Sequence, residues 1–425
     1  MGGGVYFLLH NIGYWRVYGL NLWVTMFCVF LSAGLGSALI TPAVRQLAWK
    51  LGVVDKPSAR RVNKKPIPRM GGVAIFFGLA VAMLVRYGVE AILGHAEITL
   101  SSRYYLNVNF WIVGAAFAVI FLTGLLDDIF SLKPIQKLAG QVIAASIAAA
   151  GGLIIGNVVD PFSAYGFVDL GWLAYPATVI YLVAYANIIN LIDGLDGLSS
   201  GITCIASTTM FVLSIWAGRF DAALLSAAIA GTTLGFLVHN SYPATIFMGD
   251  SGSLTLGFAL GTISLLSVTR WAGLTTIIVP LVVAGIPIID TFSAIVRRTR
   301  AHVSFATADR GHIHHRLMAH GYNQRQAVLL MYGWTALLCV GSLIMTQVNT
   351  LPRIAIFVML LTMSAFFAKY LHLFEPVLLH HTDPKTGEDE LITPKDPGFD
   401  EEIKQLHEEE HEHIEELIHR DHKSE

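Results

Sequence analysis

Five aspartates stand where apolar runs end. Asp127 and Asp128 follow the run 120–126 directly. Asp193 and Asp196 sit in Asn187-Ile-Ile-Asn190-Leu-Ile-Asp193-Gly194-Leu-Asp196-Gly197, and Asp250 in Phe247-Met-Gly249-Asp250-Ser-Gly252-Ser. Carboxylates gathered together raise one another's pKa unless a cation lies between them. Oxygen ligands without cysteine or histidine suit magnesium or manganese, ions that keep waters and grip phosphates. The neighbouring glycines would let backbone amides approach phosphate oxygens. The competing reading is that each aspartate caps a helix. A second cluster, Ala308-Asp309-Arg310-Gly311-His312-Ile313-His314-His315-Arg316, offers donors for phosphate or sugar oxygens, with arginine able to bind bidentately. Zinc is the alternative there, although no nearby Cys or Glu completes a ligand set; a solvated basic loop is another. The third cluster, Asp55-Lys56-Pro57 to Pro66-Ile67-Pro68-Arg69-Met70-Gly71-Gly72, places Lys56 and Arg69 on a loop whose Pro and Gly residues suggest a fixed shape.

The elements that must carry these residues are membrane helices. Of 425 residues, 54% are hydrophobic and only 14% charged, against roughly a quarter charged in soluble domains, which excludes disordered, fibrous and ordinary soluble classes. Runs long enough to cross a bilayer are expected near 18–40, 70–88, 109–126, 138–156, 172–189, 200–216, 221–239, 253–269, 273–296, 327–347 and 353–373. The fold class is therefore an all-α polytopic membrane protein with about eleven transmembrane helices. No cleavable signal peptide is expected, the first span itself directing insertion. The segments 42–69, 127–137 and 297–326 hold most of the lysine and arginine. They are expected in the cytoplasm, with the N-terminus outside and the C-terminus inside. All five aspartates then face the cytosol at helix ends. Cys28, Cys204 and Cys339 lie within expected spans and read as small buried apolar residues. Thirteen of the 30 acidic residues precede residue 374 and seventeen follow it, so the net charge of −2 averages a basic body with an acidic tail. Two regions are expected: 1–373, the membrane domain, and 374–425, an acidic, His-rich cytoplasmic tail. Within the tail, Ile403, Leu406, Ile414, Leu417 and Ile418 recur at roughly helical spacing, which predicts an amphipathic helix at 399–420, or a short coiled coil, able to serve self-association such as a homodimer; the spacing does not fix the oligomeric state. No nucleic-acid partner is expected.

At these residues the sequence resembles the polyprenyl-phosphate N-acetylhexosamine-1-phosphate transferases, relatives of phospho-N-acetylmuramoyl-pentapeptide transferase. The matches are DKPxxRR…PIPRMGG at 55–72, Asp127-Asp128, NxxNxxDGxDGL at 187–198, FMGDSGS at 247–253 and HIHHRL at 312–317. They occur in the family's order. The HIHH form and the PIPR loop look more like the branch that uses UDP-N-acetylglucosamine. One departure is Asn63, where relatives often carry histidine, which removes a proton carrier there. The resemblance implies transfer of GlcNAc-1-phosphate from the UDP-sugar to undecaprenyl phosphate, giving undecaprenyl-diphospho-sugar and UMP, the first membrane step of a surface glycan such as lipopolysaccharide or teichoic acid. It implies a bacterial cytoplasmic membrane, an active site facing the cytoplasm, and Mg2+ (Mn2+ as substitute). By the same resemblance Asp250, with Asp128, would ligate the metal. Asp127 and Asp128 would meet the lipid phosphate, one of them as base. Asn187, Asn190, Asp193 and Asp196 would hold the nucleotide, with Phe247 on uracil. His312, His314, His315 and Arg316 would grip the diphosphate and sugar, with Lys56 and Arg69 also contacting substrate. The alternative from another class is a secondary transporter using intramembrane carboxylates, which predicts acids near mid-span rather than at span ends. An intramembrane aspartyl protease is weakened by Phe247 at the first glycine position of its signature.

Overall fold

Long apolar runs closed by polar turns dictate a helical protein, and the computed structural model is one. It describes residues 20–55, 66–93, 108–159, 167–267, 281–300, 311–374, 380–382 and 389–391. Among them are twelve α-helices: α1 (Leu20–Leu51), α2 (Gly71–Leu93), α3 (Phe110–Phe130), α4 (Pro134–Ala150), α5 (Ala174–Ile192), α6 (Leu198–Trp216), α7 (Phe220–Asn240), α8 (Gly249–Ser267), α9 (Gly285–Arg300), α10 (Ile313–Ala319), α11 (Gln324–Gln347) and α12 (Thr350–Tyr370). Three antiparallel two-stranded pieces accompany them: β1 (Val54–Asp55) with β2 (Ile67–Pro68), β3 (Asn157–Val159) with β4 (Phe167–Asp169), and β5 (His380–Thr382) with β6 (Asp389–Leu391).

Eight of the described helical segments are long and apolar enough to cross a membrane: Leu22–Leu51, Gly71–Val89, Phe110–Phe130, Gly171–Ile192, Leu198–Trp216, Phe220–Asn240, Gln324–Gln347 and Thr350–Tyr370. Eight of the eleven expected spans fall on these segments. The expected span at 138–156 falls on α4, a 17-residue helix ending at Ala150. The one at 253–269 falls on α8, which bears Ser and Thr at six positions and is buried continuously from Ser251 to Leu266. The span at 273–296 lies partly outside the described residues, as do Lys56, the tail helix at 399–420 and residues 301–310.

The chain divides into two compact units: Met1–Ile289 with Gly321–Ser364, and Asp290–His320 with Ala365–Glu425. In the first, α8 is the central helix, packed by α2, α3, α5, α6 and α7. A polar helix tolerates that place because protein, not lipid, surrounds it, and its hydroxyls return to its own carbonyls, as Thr255 does to Ser251 at 2.6 Å. Small residues permit the close packing: a Cβ on Gly235 of α7 would stand 2.1 Å from the Gly34 carbonyl of α1. Phe236, Phe258, Ile120, Leu182 and Ile189 fill the core between these helices.

Three local signals fix the segments around the acidic residues. Asn109 caps α3, its side chain accepting from Trp111 N at 3.1 Å and Ile112 N at 3.3 Å. At its other end α3 stops because Ser131 adopts a left-handed conformation (φ 51°), and Pro134 then opens α4. The prolines and glycines of the first basic loop are held by the 247–249 turn: Phe247 N donates to Pro68 O at 2.8 Å, Gly71 N to Phe247 O at 2.9 Å and Gly72 N to Met248 O at 2.8 Å.

Candidate active site

The end of α3, the start of α4, the end of α5 and the start of α8 meet within the first unit. Asp127 and Asp128, in the last turn of α3, are 9% and 4% exposed, too buried for merely solvated carboxylates. Asp128 organises the start of α8. Its Oδ1 accepts from Asp250 N at 2.8 Å, and its Oδ2 from Ser251 N at 3.1 Å and Ser251 Oγ at 2.6 Å. Arg69 Nη2 lies 3.3 Å from Oδ1. The carboxylate thereby satisfies amides that a helix start leaves bare. Gly249 makes this approach feasible: its φ is +71°, and a Cβ there would sit 2.6 Å from both Asp128 oxygens. Asp128, expected to share a metal ion, thus has both oxygens engaged by protein.

Asp127 and Asp250 are arranged differently. Asp127 Oδ1 accepts from Leu132 N at 2.8 Å, while Oδ2 lies 3.6 Å from Lys137 Nζ. Lys137, in the first turn of α4, also donates to Asn190 Oδ1 at 3.1 Å and to Asp250 Oδ2. Asn190, in the last turn of α5, donates to Asp250 Oδ1 at 3.1 Å and to Ser253 Oγ at 2.8 Å. Carboxylate and amide oxygens from α3, α5 and α8 therefore converge on one positive group. That donor set is hard and oxygen-only, which fits magnesium. No cluster of three or more Asp, Glu, His or Cys that could hold a metal occurs among the described residues. Asp250 and Asp127 would thus bind such an ion as two carboxylates, with water and substrate phosphate completing its shell, as magnesium sites usually do.

The remaining expected nucleotide-binding residues do structural work here. Asn187 exchanges hydrogen bonds with Gln141, donating at 2.6 Å and accepting at 3.2 Å, and so ties α5 to α4. Asp196 Oδ2 accepts from Ala244 N at 2.9 Å, anchoring the segment that leads to Phe247. Burial raises the Asp196 pKa against the lowering effect of that bond. Asp193, just past α5, has its carboxyl pushed up to about 8 by burial, and then by the charges of Asp250, Asp128 and Asp196. Phe247 is half-buried, its backbone held between Pro68 and Gly71.

The histidine segment belongs to the second unit and has its own organisation. Asp290, fully buried on α9, accepts from His312 Nδ1 at 2.9 Å and from Ile313 N at 2.8 Å. The His312 and His314 rings lie parallel at 5.9 Å, while those of His314 and His315 are tilted by 41° at 4.3 Å. Burial, followed by the charge of His315, lowers the His314 pKa to about 3, so this ring is neutral at physiological pH. Its Nδ1 is buried without a hydrogen-bond partner among the described residues. Arg316 Nε reaches back to Gly311 O at 3.3 Å. Arg297, one face along α9 from Asp290, donates to Ser293 Oγ at 2.9 Å and to the carbonyl of Leu373.

Comparison with known proteins bears on what this arrangement serves. The model of glycosyl transferase family 4 matches residues 110–268, the stretch from α3 to the end of α8. A Bacillus subtilis protein named as a probable undecaprenyl-phosphate N-acetylglucosaminyl 1-phosphate transferase is 39% identical over 294 residues, 69% of this chain and 77% of that protein. The chain belongs to this family, the polyprenyl-phosphate N-acetylhexosamine-1-phosphate transferases. The transferase is also similar to a Mycolicibacterium smegmatis decaprenyl-phosphate N-acetylglucosaminephosphotransferase, 34% identical over 334 residues, covering 74% of this chain and 80% of that one. A Shouchella clausii phospho-N-acetylmuramoyl-pentapeptide-transferase is 35% identical over 282 residues, 65% and 82% of the respective chains. Family membership and the membrane-spanning helices thus agree with the sequence motifs.

Lys137, Gln141, Ser251 and Asp290 escaped the sequence reading. Lys137 was indistinguishable from a topological cation in a basic loop, and Asp290 stood alone in an apolar run with no signal of its partner.

Proposed function

We propose that the transferase moves N-acetylglucosamine-1-phosphate from UDP-N-acetylglucosamine to undecaprenyl phosphate at the cytoplasmic face of a bacterial membrane. The products are undecaprenyl-diphospho-N-acetylglucosamine and UMP, the start of a cell-surface glycan. The observation that carries this reading is the convergence of Asp127, Asp250 and Asn190 oxygens on one cationic group at the helix ends. An oxygen of the lipid phosphate attacks the phosphorus that bears the sugar, and the bond from that phosphorus to the UMP oxygen breaks. The lipid phosphate would attack in its ionised form, so no side chain need take a proton from it, and Asp128 is committed to Asp250 N and Ser251. A magnesium ion held by Asp250 and Asp127 would neutralise charge on the diphosphate. The other residues position: Asn190 orients the Asp250 carboxylate, Arg69 and Asp128 fix the α8 start, and Phe247 offers a face to the uracil. Such positioning is most of what a protein contributes to phosphoryl transfer.

The secondary-transporter alternative is not favoured. The carboxylates lie in the last turn of α3 and the first turn of α8, not at mid-helix. The test uses purified protein with undecaprenyl phosphate and a donor panel of UDP-GlcNAc, UDP-GalNAc and UDP-MurNAc-pentapeptide. Magnesium-dependent UMP release should be greatest with UDP-GlcNAc and vanish in Asp250→Asn. Absence of UMP release with every donor would refute the reading.

A further inference from the structure

We propose that the Lys137 ammonium is a resident counter-ion at the cation site, competing with a divalent metal for the same oxygens and displaced when the metal arrives. The proposal rests on the reading that Asp250 and Asp127 hold a divalent cation. An ammonium group has three hydrogens to donate, and three oxygens from three helices surround this one: Asp127 Oδ2 at 3.6 Å, Asn190 Oδ1 at 3.1 Å, and Asp250 Oδ2. Those are the oxygens a hard divalent ion would use. A lysine in the opening turn of a helix faces the positive end of the macrodipole, an unfavourable place unless anions hold it there. Lys137 lies four positions into α4, and the carboxylates of α3 and α8 offset that position.

The cation site is therefore not bare before metal binds. Its carboxylates are already neutralised in part, so Asp127 and Asp250 can lie close together in the metal-free protein. A divalent ion cannot share their oxygens with an ammonium at contact distance, since like charges so placed repel. Lysine can leave, because its charge rides on a flexible four-carbon stem. A phosphate group that took up the displaced ammonium would strengthen metal binding. The metal would strengthen phosphate binding by the same factor.

The experiment is Mn2+ binding to the full chain in detergent without substrate, read by electron paramagnetic resonance of the free ion. Wild type, Lys137→Met and Asp250→Asn are compared. Lys137→Met should bind Mn2+ about tenfold more tightly than wild type, as expected where removing a neighbouring like charge favours a cation, and Asp250→Asn should abolish binding. If wild type binds through Asp250 but Lys137→Met binds no more tightly, the counter-ion proposal fails and the metal reading stands. If neither wild type nor Lys137→Met shows binding that depends on Asp250, both fail. Should Lys137→Met not fold, the wild type suffices. Saturating Mg2+ should increase labelling of Lys137 by an amine-reactive ester, read by peptide mass spectrometry, and unchanged labelling would overturn displacement.

Discussion

A buried carboxyl group that sits among carboxylates keeps its proton to a higher pH. Asp193 is in that position, its pKa lifted from 3.8 to about 8 by burial and by Asp250, Asp128 and Asp196. In the unfolded chain it ionises near 3.8, in the folded chain near 8, so folding is penalised progressively as pH rises between those values and by a constant amount above them. Asp193→Asn does not titrate. In chelator-treated protein its melting temperature should gain on wild type from pH 5 to pH 8 and hold that gain above pH 8. A gap independent of pH would contradict the assignment. Asp290 poses a tautomer question instead. Its Oδ2 accepts from His312 Nδ1, which therefore carries a proton. In Asp290→Asn, nitrogen NMR of labelled histidine should show the Nδ1 proton of His312 partly lost to Nε2, where the wild type keeps Nδ1 protonated throughout.

The elements matter through how closely they approach. A Cβ on Gly124 of α3 would lie 2.4 Å from the Asp250 carbonyl, so α3 and α8 meet backbone to backbone at the acidic cluster. Gly124→Val should cost about 1–3 kcal/mol of stability, as overpacking does. It should also abolish UMP release in the protein that still folds, because Asp128 can no longer reach the amides of Asp250 and Ser251. Chemical denaturation with a parallel activity assay separates the two effects. How the site is built was partly legible in the sequence. Aspartates at the ends of apolar runs, beside glycines, announced that helix ends would carry the chemistry, and Asp127, Asn190 and Asp250 do converge. What a pattern could not disclose was the division of labour. Asp127 and Asp128 are adjacent and identical, yet a turn of about 100° per residue on a helix sends one toward Lys137 and the other to the start of α8. Asn187 and Asn190, one turn apart, likewise part company: one pairs with Gln141, the other with Asp250. The span count was less legible, since hydropathy measures how apolar a run is and not whether lipid or protein surrounds it; α8 shows the difference.

At the scale of the whole molecule, the acidic tail is expected to be dispensable for the chemistry, and a truncation that tests this has a constraint on where it can fall. The Leu373 carbonyl accepts from the buried Arg297, so a truncation must spare it. Deleting residues 376–425 does so, and UMP release should stay within about twofold of the full chain if the tail takes no part in the chemistry. Loss of activity in folded, truncated protein would give the tail a part in catalysis. The sheathing of α8 reaches further. Every position from Ser251 to Leu266 is covered by protein, so the helix that begins with Asp250 meets no acyl chain. Bilayer thickness, fluidity and curvature act on the outer helices, which expose residues such as Leu39, Leu84 and Ile180. The proposed ion site, anchored on an inner shaft of this kind, would be insulated from the mechanics of its host membrane. One catalytic geometry can then serve in membranes of differing composition, while the periphery adapts to each.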